Sequence, residues 1–408
     1  MENTHLAPDR DRDAVSFLLS AARALHAYGT AVHVLEDVLA RMAARLGVEA
    51  RWLATPTSIM VSVGPPDHER IHLLRTDIGE QDLGRLAEVS AVSNQVLSGA
   101  LSPRQGVERL DAIQLSPPPY SRGLTVLAFA ASSAAASRFL GGNLRELAVA
   151  SVVGLLIGLV AVGTTRLPAL ARVFEPLAGF IASAIATLAA VMIGPMSVYI
   201  ATLAGIIILI PGLMLTVAMT ELSSRHLVAG TSRLAGAFVT FLLLALGVAL
   251  GGRLGSAVFG TPLIAEPAAL PAWTEAVALL VAPLGFTVLL KAEPRDAVWI
   301  LIAGILAFVA GRIGAAALGP ELGVFIGALI VGLAGSAYSA LLRRPAAITR
   351  VPGILLLVPG SIGFRSLTAL LERETVAGVE TAFRMILMAA ALAAGLVLAA
   401  AVTPSTEN

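Results

Sequence analysis

The sequence predicts a polytopic α-helical membrane protein with about ten transmembrane helices in a 5+5 inverted repeat and a small N-terminal cytosolic α+β domain. The first observation behind this prediction is composition: 57% of the residues are hydrophobic, 13% are charged and the mean hydropathy is +0.84. These values are too apolar for a soluble protein. The other two are an uneven distribution of charge and a series of long apolar stretches that divides into two similar halves.

The polar part of the chain lies at its beginning. Residues 1–120 hold 15 of the 27 acidic residues, 11 of the 28 Lys and Arg residues and five of the six His residues. The opening, MENTHLAPDRDRDAV, has no apolar run after a basic start, which argues against a secretory signal peptide. We therefore expect this part to lie in the cytosol, at the cytoplasmic (inner) membrane. The chain has no Cys, which excludes disulfides and thiol chemistry.

Helix and strand patterns follow one another in this polar part in the order ααβββαα. Apolar residues at three-to-four spacing predict amphipathic helices, and short runs rich in β-branched and large apolar residues predict strands. Gly29 separates the first two helices, Gly47 ends the second, and Ser102 with Pro103 starts the last. The predicted helices are 13–27, 31–46, 80–99 and 103–114, and the predicted strands are 48–54, 58–64 and 70–76. This order is typical of an α+β domain, here 1–115, followed by a Pro-rich linker at 116–121.

Ten apolar stretches follow, each long enough, or nearly so, to span about 30 Å at about 1.5 Å per residue. Their cores are 123–140, 146–163, 174–193, 196–221, 228–252, 274–290, 296–313, 322–341, 350–371 and 376–401. A polar loop at 253–272 separates a first five-helix repeat (122–252) from a second (273–402), and a tail follows at 403–408. With the N-terminus inside, ten Lys or Arg residues fall on the cytosolic side and five outside, as the positive-inside rule favours.

The two halves of the apolar region resemble each other. Residues 211–230 align without a gap on residues 359–378, with eight of 20 positions identical. Two weaker matches, 144–156 with 294–306 and 180–189 with 325–334, occur upstream in the same order. Because five is an odd number of spans, the second copy must enter the membrane inverted. Inverted repeats of this kind are typical of secondary transporters.

Several motifs in the polar part resemble one known family. The sequence GTAVHVLE is followed by ATPTSIMVSV and LSPRQGVERLDAI, and the motif residues are Gly29, His33, Glu36, Thr55, Pro56, Thr57 and Ser58. These motifs resemble the N-terminal domain of the threonine/serine exporter (ThrE) family, and the layout of domain, linker and apolar region resembles that family over the whole chain. The resemblance implies export of threonine and serine, driven by the proton gradient.

A Pro-Gly pair interrupts the apolar sequence at the same place in each half. Proline lacks a backbone N–H, and glycine is a weak helix former, so each pair predicts a broken helix. The freed N–H groups favour a carboxylate and the freed carbonyls a cation, and an amino acid carries both. The predicted substrate site comprises Pro211, Gly212, Thr216, Thr220, Pro359, Gly360, Ser361, Gly363 and Arg365. The alternative is a pair of ordinary kinks or packing contacts, and the second stretch could also be re-entrant.

Ionisable residues within the predicted spans are functional candidates. Arg365 is the candidate partner of a substrate carboxylate, and Glu380 is the candidate proton-coupling group. Two pairs have a spacing of four residues, which allows them to neutralise each other on a helix: Glu221 with Arg225, and Glu380 with Arg384. For the first pair, the alternative is that both side chains reach the membrane interface.

The motif residues of the polar part have two interpretations each. His33, Glu36 and Asp37 lie on neighbouring helical turns, which suggests either a metal site or, more commonly, a solvated helix face. The run at 55–58 suggests either an anion-binding or gating loop, or a strand-connecting turn whose hydroxyls bond its own backbone. We expect no metal and no cofactor.

Several functions remain to be weighed. The first is export of threonine or serine, and the nearest alternative is a dicarboxylate exporter, for which Arg365 and Arg384 would suit a diacid. A hydrolase using His33, Glu36 and Ser58 has less support, because the sequence lacks HExxH and nucleophile-elbow motifs. A channel lacks a filter motif. The expected partners are a small-molecule substrate and the lipid bilayer, with no nucleic acid, and the oligomeric state is left open.

Overall fold

The computed structural model describes residues 7–403 except 66, 68, 77, 78, 80, 264, 266 and 267, with side chains from residue 12 onward. The N-terminal part has the predicted order of elements. Its helices are α1 (Ala7–Ala27), α2 (Val32–Leu46), α3 (Leu83–Leu97) and α4 (Pro103–Leu115), and its strands are β1 (Ala50–Thr55), β2 (Ser58–Val63) and β3 (Arg70–Arg75).

Local signals fix the ends of these helices. Gly47 has a left-handed conformation at φ +70° and ends α2, as its position predicted. Ser102 caps α4 and forms a capping box with Gln105. Helix α3 starts later than predicted because the Asp82 side chain accepts the Arg85 N–H and defines the first turn.

The three strands form one antiparallel sheet in the order β1-β2-β3. Ala54 and Ile59 are buried on one face, whereas Leu53 and Leu73 on the other are 60% and 66% exposed. The helices therefore cover one face of the sheet only. The core of this N-terminal part also includes Leu290, Ile300, Tyr338 and Ile348 from the apolar region, so the part sits on one end of the helix bundle. We call this the near end of the bundle, and the opposite one the far end.

The predicted apolar stretches are helical except at some of their ends and at two interruptions. Each of the ten predicted stretches coincides with one helix or one interrupted pair. The helices are α5 (Arg122–Phe139), α6 (Leu144–Thr164), α7 (Pro168–Ala171), α8 (Phe174–Ile193), α9 (Val198–Ile206), α10 (Gly212–Ser223), α11 (Leu227–Phe259), α12 (Trp273–Leu289), α13 (Ala297–Leu318), α14 (Pro320–Leu342), α15 (Ala347–Leu355), α16 (Gly360–Leu371) and α17 (Thr375–Val402).

Seven helical segments within the described residues are long and apolar enough to cross a membrane, and an eighth is added if α9 and α10 form one bent span. Helices α5 and α12 fall outside this count, the latter because it has 17 residues. The chain is thus a polytopic helical membrane protein.

Contacts at the two ends of the bundle show the direction of the interrupted helices. Tyr120, just before α5, donates to the Ala292 carbonyl at 2.7 Å at the near end, so α5 ends and α6 begins at the far end. There Glu146 accepts the Ser197 N–H at 2.7 Å, which places the start of α9 at the far end. Helix α10 ends at the near end, where Glu221 contacts Val32. The pair α9–α10 therefore crosses the bundle and is not re-entrant.

The second interrupted pair runs the other way. Ile348, at the start of α15, is packed into the near-end core. From Ala347 to Leu371, α15 and α16 form one segment of 25 residues without a bend of more than 40°. A segment of this length spans about 37 Å, enough to reach the far end. The two interrupted helices are therefore antiparallel, and the re-entrant alternative for the second is excluded by this path.

Candidate functional site

Both Pro-Gly pairs break their helices as predicted. After α9 a short 3₁₀ turn ends at Leu209, and α10 starts afresh at Gly212 with a bend of 55° between the two axes. Pro211 and Pro359 precede the new helices with nearly the same backbone angles, φ −77° and ψ 40° against φ −79° and ψ 28°. The two breaks are thus alike in conformation as well as in sequence.

The two breaks lie against each other. A Cβ built on Gly212 would lie 3.3 Å from the Cα of Gly360, and one built on Gly360 would lie 3.4 Å from the Cα of Gly212. Val358 and Ile210 close the contact from either side. Both glycines are buried. Two backbones that cross this closely leave no space for a ligand between them.

Two helix N-termini meet at this crossing. Gly212 and Gly360 are the first residues of α10 and α16, and neither helix has a side-chain cap. The first N–H groups of a helix have no acceptor within the helix, and the N-terminus carries a partial positive charge. The crossing therefore gathers donors of the kind that suit an anionic group such as a carboxylate, although the Gly212 N–H itself donates to the Ile210 carbonyl at 2.7 Å.

The hydroxyl residues beyond the first break bond their own helix. Thr216 donates to the Gly212 carbonyl at 3.1 Å, and Thr220 donates to the Thr216 carbonyl at 2.9 Å. Both are buried. The Thr216 hydroxyl thus bonds the carbonyl of Gly212, the glycine at the first break. The hydroxyl is one turn from the crossing and can change its bond if the break opens.

The remaining predicted site residues on α16 are spread around that helix. Ser361 is half-buried next to Gly360. A Cβ on Gly363 would collide with the Met385 Sδ and would lie 3.0 Å from a Phe241 ring carbon, so Gly363 is a packing contact with α17 and α11. Arg365 is exposed and lies about 140° around the helix from Gly360. The structure brings the two Pro-Gly pairs together but not Arg365.

The predicted ion pairs at four-residue spacing are wrong. Glu221 is fully buried, and the Arg233 Nε lies 3.0 Å from each of its carboxylate oxygens. Arg225 is exposed in a left-handed conformation at φ 65°, because α10 has ended and its side chain no longer follows the helix face. Arg384 pairs with Glu321 at 3.4 Å. Glu380 is exposed.

The motif of the N-terminal part joins the end of α10. The Val32 N–H donates to Glu221 Oε1 at 3.0 Å, in a buried bond between residues 189 positions apart. Glu36 accepts the Ala54 N–H at 2.6 Å and lies 3.2 Å from His226 Nε2. Helix α2 thereby holds both the last turn of α10 and the residue that precedes α11.

The two histidines at this junction have different environments. His226 places Nδ1 2.9 Å from the Ser224 carbonyl and Nε2 3.2 Å from the Glu36 carboxylate. The ring of His33 lies 6.1 Å away. Burial, with the neighbouring His226, lowers the pKa of His33 to about 4. The His33 ring is therefore neutral at neutral pH.

The run at 55–58 forms the hairpin turn between β1 and β2. The Thr55 hydroxyl accepts the Ser58 N–H at 3.0 Å and lies 2.8 Å from the Ser58 hydroxyl, while Pro56 is buried and Thr57 exposed. This bonding favours the turn over an anion-binding loop. Gly29, at φ +90°, makes the turn between α1 and α2, where its carbonyl accepts Gln81 Nε2 at 3.0 Å.

Sequence reasoning missed two residues where α2 meets the end of α10, His226 and Arg233. It also missed His26, whose Nε2 lies 3.0 Å from the Thr55 carbonyl. His226 could have been noticed, since it is the one His outside the first 120 residues. Arg233 gives no such signal, because it lies on the helix after the one that carries Glu221. Within the described ranges, no group of three or more His, Cys, Asp or Glu is placed to hold a metal ion.

The chain matches two family models that together cover most of its length. Residues 16–255 match the family described as "Putative threonine/serine exporter", and residues 275–402 match "Threonine/Serine exporter, ThrE". The first match takes in the N-terminal part and helices α5 to α11, and the second takes in α12 to α17.

Curated relatives are fungal proteins named "Pheromone-regulated membrane protein 10". The one from Candida albicans is 27% identical over 385 residues, covering 90% of this chain and 34% of the relative. Those from Eremothecium gossypii and Saccharomyces cerevisiae are 25% and 26% identical over 362 and 361 residues, covering 86% and 85% of this chain and 48% and 46% of the relatives. The chain thus spans about a third to a half of these relatives. No solved structure matches it.

The fold and the site define a polytopic helical membrane protein in which two antiparallel helices are broken where they cross. The family matches extend over more than half of the chain. The chain belongs to the threonine/serine exporter family.

Proposed function

We propose that this chain is a secondary active transporter that exports threonine and serine and is driven by the proton gradient. The observation that carries the proposal is the contact of Gly212 with Gly360, which brings two uncapped helix N-termini together inside the bundle. The α-carboxylate of an amino acid would bind these N–H groups, and carbonyls freed at the same breaks would bind its ammonium group. The hydroxyls of Thr216, Thr220 and Ser361, on the helices that start at the breaks, would bind the hydroxyl of the substrate.

An inverted 5+5 repeat of ten helices is the architecture that this proposal requires. The opposite directions of the two interrupted pairs support it. So does a detail of the backbone: Arg225 and Arg373, at matching positions after α10 and α16, share a left-handed conformation at φ 65° and φ 68°. The N-terminal part would then be a cytosolic domain at the inner membrane, on the side where basic loop residues are in excess.

Two other functions have less support from the contacts. For a hydrolase, Ser58 would need an imidazole, but its hydroxyl bonds Thr55, and Glu36 is engaged by Ala54 and His226. For a dicarboxylate exporter, Arg365 and Arg384 would need to face the substrate together, yet Arg384 binds Glu321. Transport of a dicarboxylate is one of the results that the following test can show.

The test is counterflow in proteoliposomes loaded with unlabelled threonine, serine or succinate, followed by entry of the labelled compound. The wild type is compared with a Pro211→Ala/Pro359→Ala double variant and with Pro283→Ala, which removes a buried proline inside α12 as a matched control. We expect threonine and serine counterflow in the wild type and the control, and its loss in the double variant. Succinate counterflow alone would assign the protein to dicarboxylates, and equal activity of all three proteins would contradict a site at the breaks.

A further inference from the structure

Glu221 is an unusual residue for its position. It is fully buried on the last turn of α10, where it accepts bonds from Arg233 and from the Val32 backbone. Arg233 is itself only 13% exposed. A buried carboxylate of this kind persists because its partners compensate for the lost hydration. The charge of Glu221 therefore holds α2, α10 and α11 together.

Helix α10 connects this carboxylate to the proposed substrate site. Gly212 begins the helix at the crossing, and Glu221 lies nine residues later, about 14 Å along the axis. A half-helix of this length moves as a rigid unit. Parting of the two breaks by movement of α10 would therefore pull Glu221 away from Val32 and Arg233.

Protonation of Glu221 would weaken the same contacts. A neutral carboxyl group forms no ion pair with Arg233, and charge-assisted hydrogen bonds are roughly twice as strong as neutral ones. Gain of one proton thus releases the near end of α10, and loss of the proton restores it. This is the relation that a proton-driven transporter needs between its ion and its substrate.

A polar route leads from Glu221 to the cytosolic side. His226 and Glu36, with side chains 28% and 20% exposed, form its outer end. Deeper, His26 Nδ1, Thr30 Oγ1 and His33 Nδ1 are buried and lack a hydrogen-bond partner among the described residues. Buried polar atoms that no protein group satisfies are typical positions of ordered water. Water and imidazole together form a path along which protons can move.

Other charged groups border on α10 but bind elsewhere or lie further away. On α15, Arg350 donates to the Ser336 hydroxyl at 2.6 Å, and on α17, Arg384 binds Glu321. The charged and titratable residues of α2, α11, α15, α16 and α17 and of the turn after α10 are His33, Glu36, Asp37, Arg41, Arg45, Arg225, His226, Arg233, Arg253, Arg350, Arg365, Glu380 and Arg384. Among them, Arg233 forms the described ion pair with Glu221.

We propose that Glu221 is the carboxyl group that couples proton movement to transport, and that His226, His33 and Glu36 pass its proton to the cytosol. This rests on the proposed function of the chain as an exporter. A proton that reaches Glu221 from the far side neutralises it and frees α10. Transfer of that proton to a neutral imidazole gives an imidazolium ion, which returns the proton to cytosolic water. The carboxylate then binds Arg233 and Val32 again.

The test separates exchange from coupling. Counterflow needs no net proton movement, whereas accumulation driven by an imposed pH gradient does. We expect Glu221→Gln to keep threonine counterflow and to lose pH-driven accumulation by about tenfold or more, a typical size for coupling between sites. Glu372→Gln, at an exposed acidic residue directly after α16, is the matched control and keeps both activities. His226→Gln provides a second variant, with the same expected separation.

Each outcome decides the proposal. A pH-driven response equal to the wild type in both Glu221→Gln and His226→Gln would overturn it. Loss of counterflow in both variants, with folded protein shown by size-exclusion chromatography, would also overturn it. Glu221 would then be needed for substrate exchange and not only for coupling to protons. A wild type without counterflow of any tested substrate would instead contradict the proposed function.

Discussion

A Cβ built on Gly212 would lie 3.3 Å from the Cα of Gly360, although the two residues belong to different halves of the chain. At this distance the two backbones are in direct contact. Glycine is required at both positions because a side chain would crowd the opposite backbone. The backbone angles do not require it, since neither glycine has a positive φ. The contact joins the two broken helices at the one point where both have lost their regular hydrogen bonds.

The first prediction concerns this contact. We expect Gly212→Ala and Gly360→Ala to reduce threonine counterflow by at least about tenfold and to lower the free energy of unfolding by about 1–3 kcal/mol, because the added methyl groups overpack the crossing. Gly236→Ala is the matched control, since a Cβ there would meet its nearest atom, Met214 Sδ, at an ordinary 3.6 Å. Counterflow and thermal unfolding are measured on the same preparations. Full activity in both variants would mean that the crossing does not need to be tight.

The second prediction distinguishes the ion pair in the structure from the one suggested by spacing. Glu221→Ala would leave Arg233 largely buried without its partner, which typically costs about 3 kcal/mol. Arg225→Asn should change stability by less than about 0.5 kcal/mol, because Arg225 is exposed and Asn tolerates its left-handed conformation. Thermal unfolding in detergent measures both. A large effect of Arg225→Asn would favour the pair at four-residue spacing.

The sequence predicted the elements and breaks well, and the partners across elements poorly. Pro211 and Pro359 act on their own helices, so their effect is visible in the local sequence. The partner of Glu221 is not, because α10 ends at Ser223 and the chain turns back, which brings Arg233 of the next helix to the carboxylate. The other partner, Val32, is even farther along the sequence, 189 positions from Glu221.

The residues of the candidate site also fall into two groups, those that the sequence predicted and those that needed the structure. The two Pro-Gly pairs were predicted from matching sequence in the two halves, and the structure places them in contact. Thr55 and Ser58 were left between two interpretations, since their hydroxyls can bond a ligand or their own turn, and only the hairpin geometry decides. The role of Glu36 in binding His226 needed the position of the N-terminal part on the bundle.

The third prediction concerns pH. Burial lowers the pKa of His33 to about 4 in the folded protein, below the usual value near 6.5. A lowered pKa means that the folded protein favours the neutral form of the histidine. Its contribution to stability is therefore complete above about pH 6.5 and is lost as the pH falls toward 4. We expect acid to loosen α2 from the end of α10 before the bundle unfolds.

Hydrogen exchange at the start of α2, read at pH 7.5, 6 and 5, measures this loosening. The matched variant is His33→Asn, which stays neutral at every pH. The wild type should lose about 2 kcal/mol more protection than the variant between pH 7.5 and 5. Identical profiles for the two proteins would show that His33 does not contribute to the acid response.

The last prediction concerns Arg365, on which the sequence and the geometry differ. Its position five residues after Gly360 made it the candidate for a substrate carboxylate. In the structure it is exposed and lies about 140° around α16 from the face that meets Gly212. If the helix N-termini at the crossing bind the carboxylate, Arg365→Gln should change the threonine KM in counterflow by less than about twofold, because its charge is directed away from the site. A rise in KM of tenfold or more with kcat unchanged would instead place Arg365 at the substrate, and would require α16 to rotate when the breaks part.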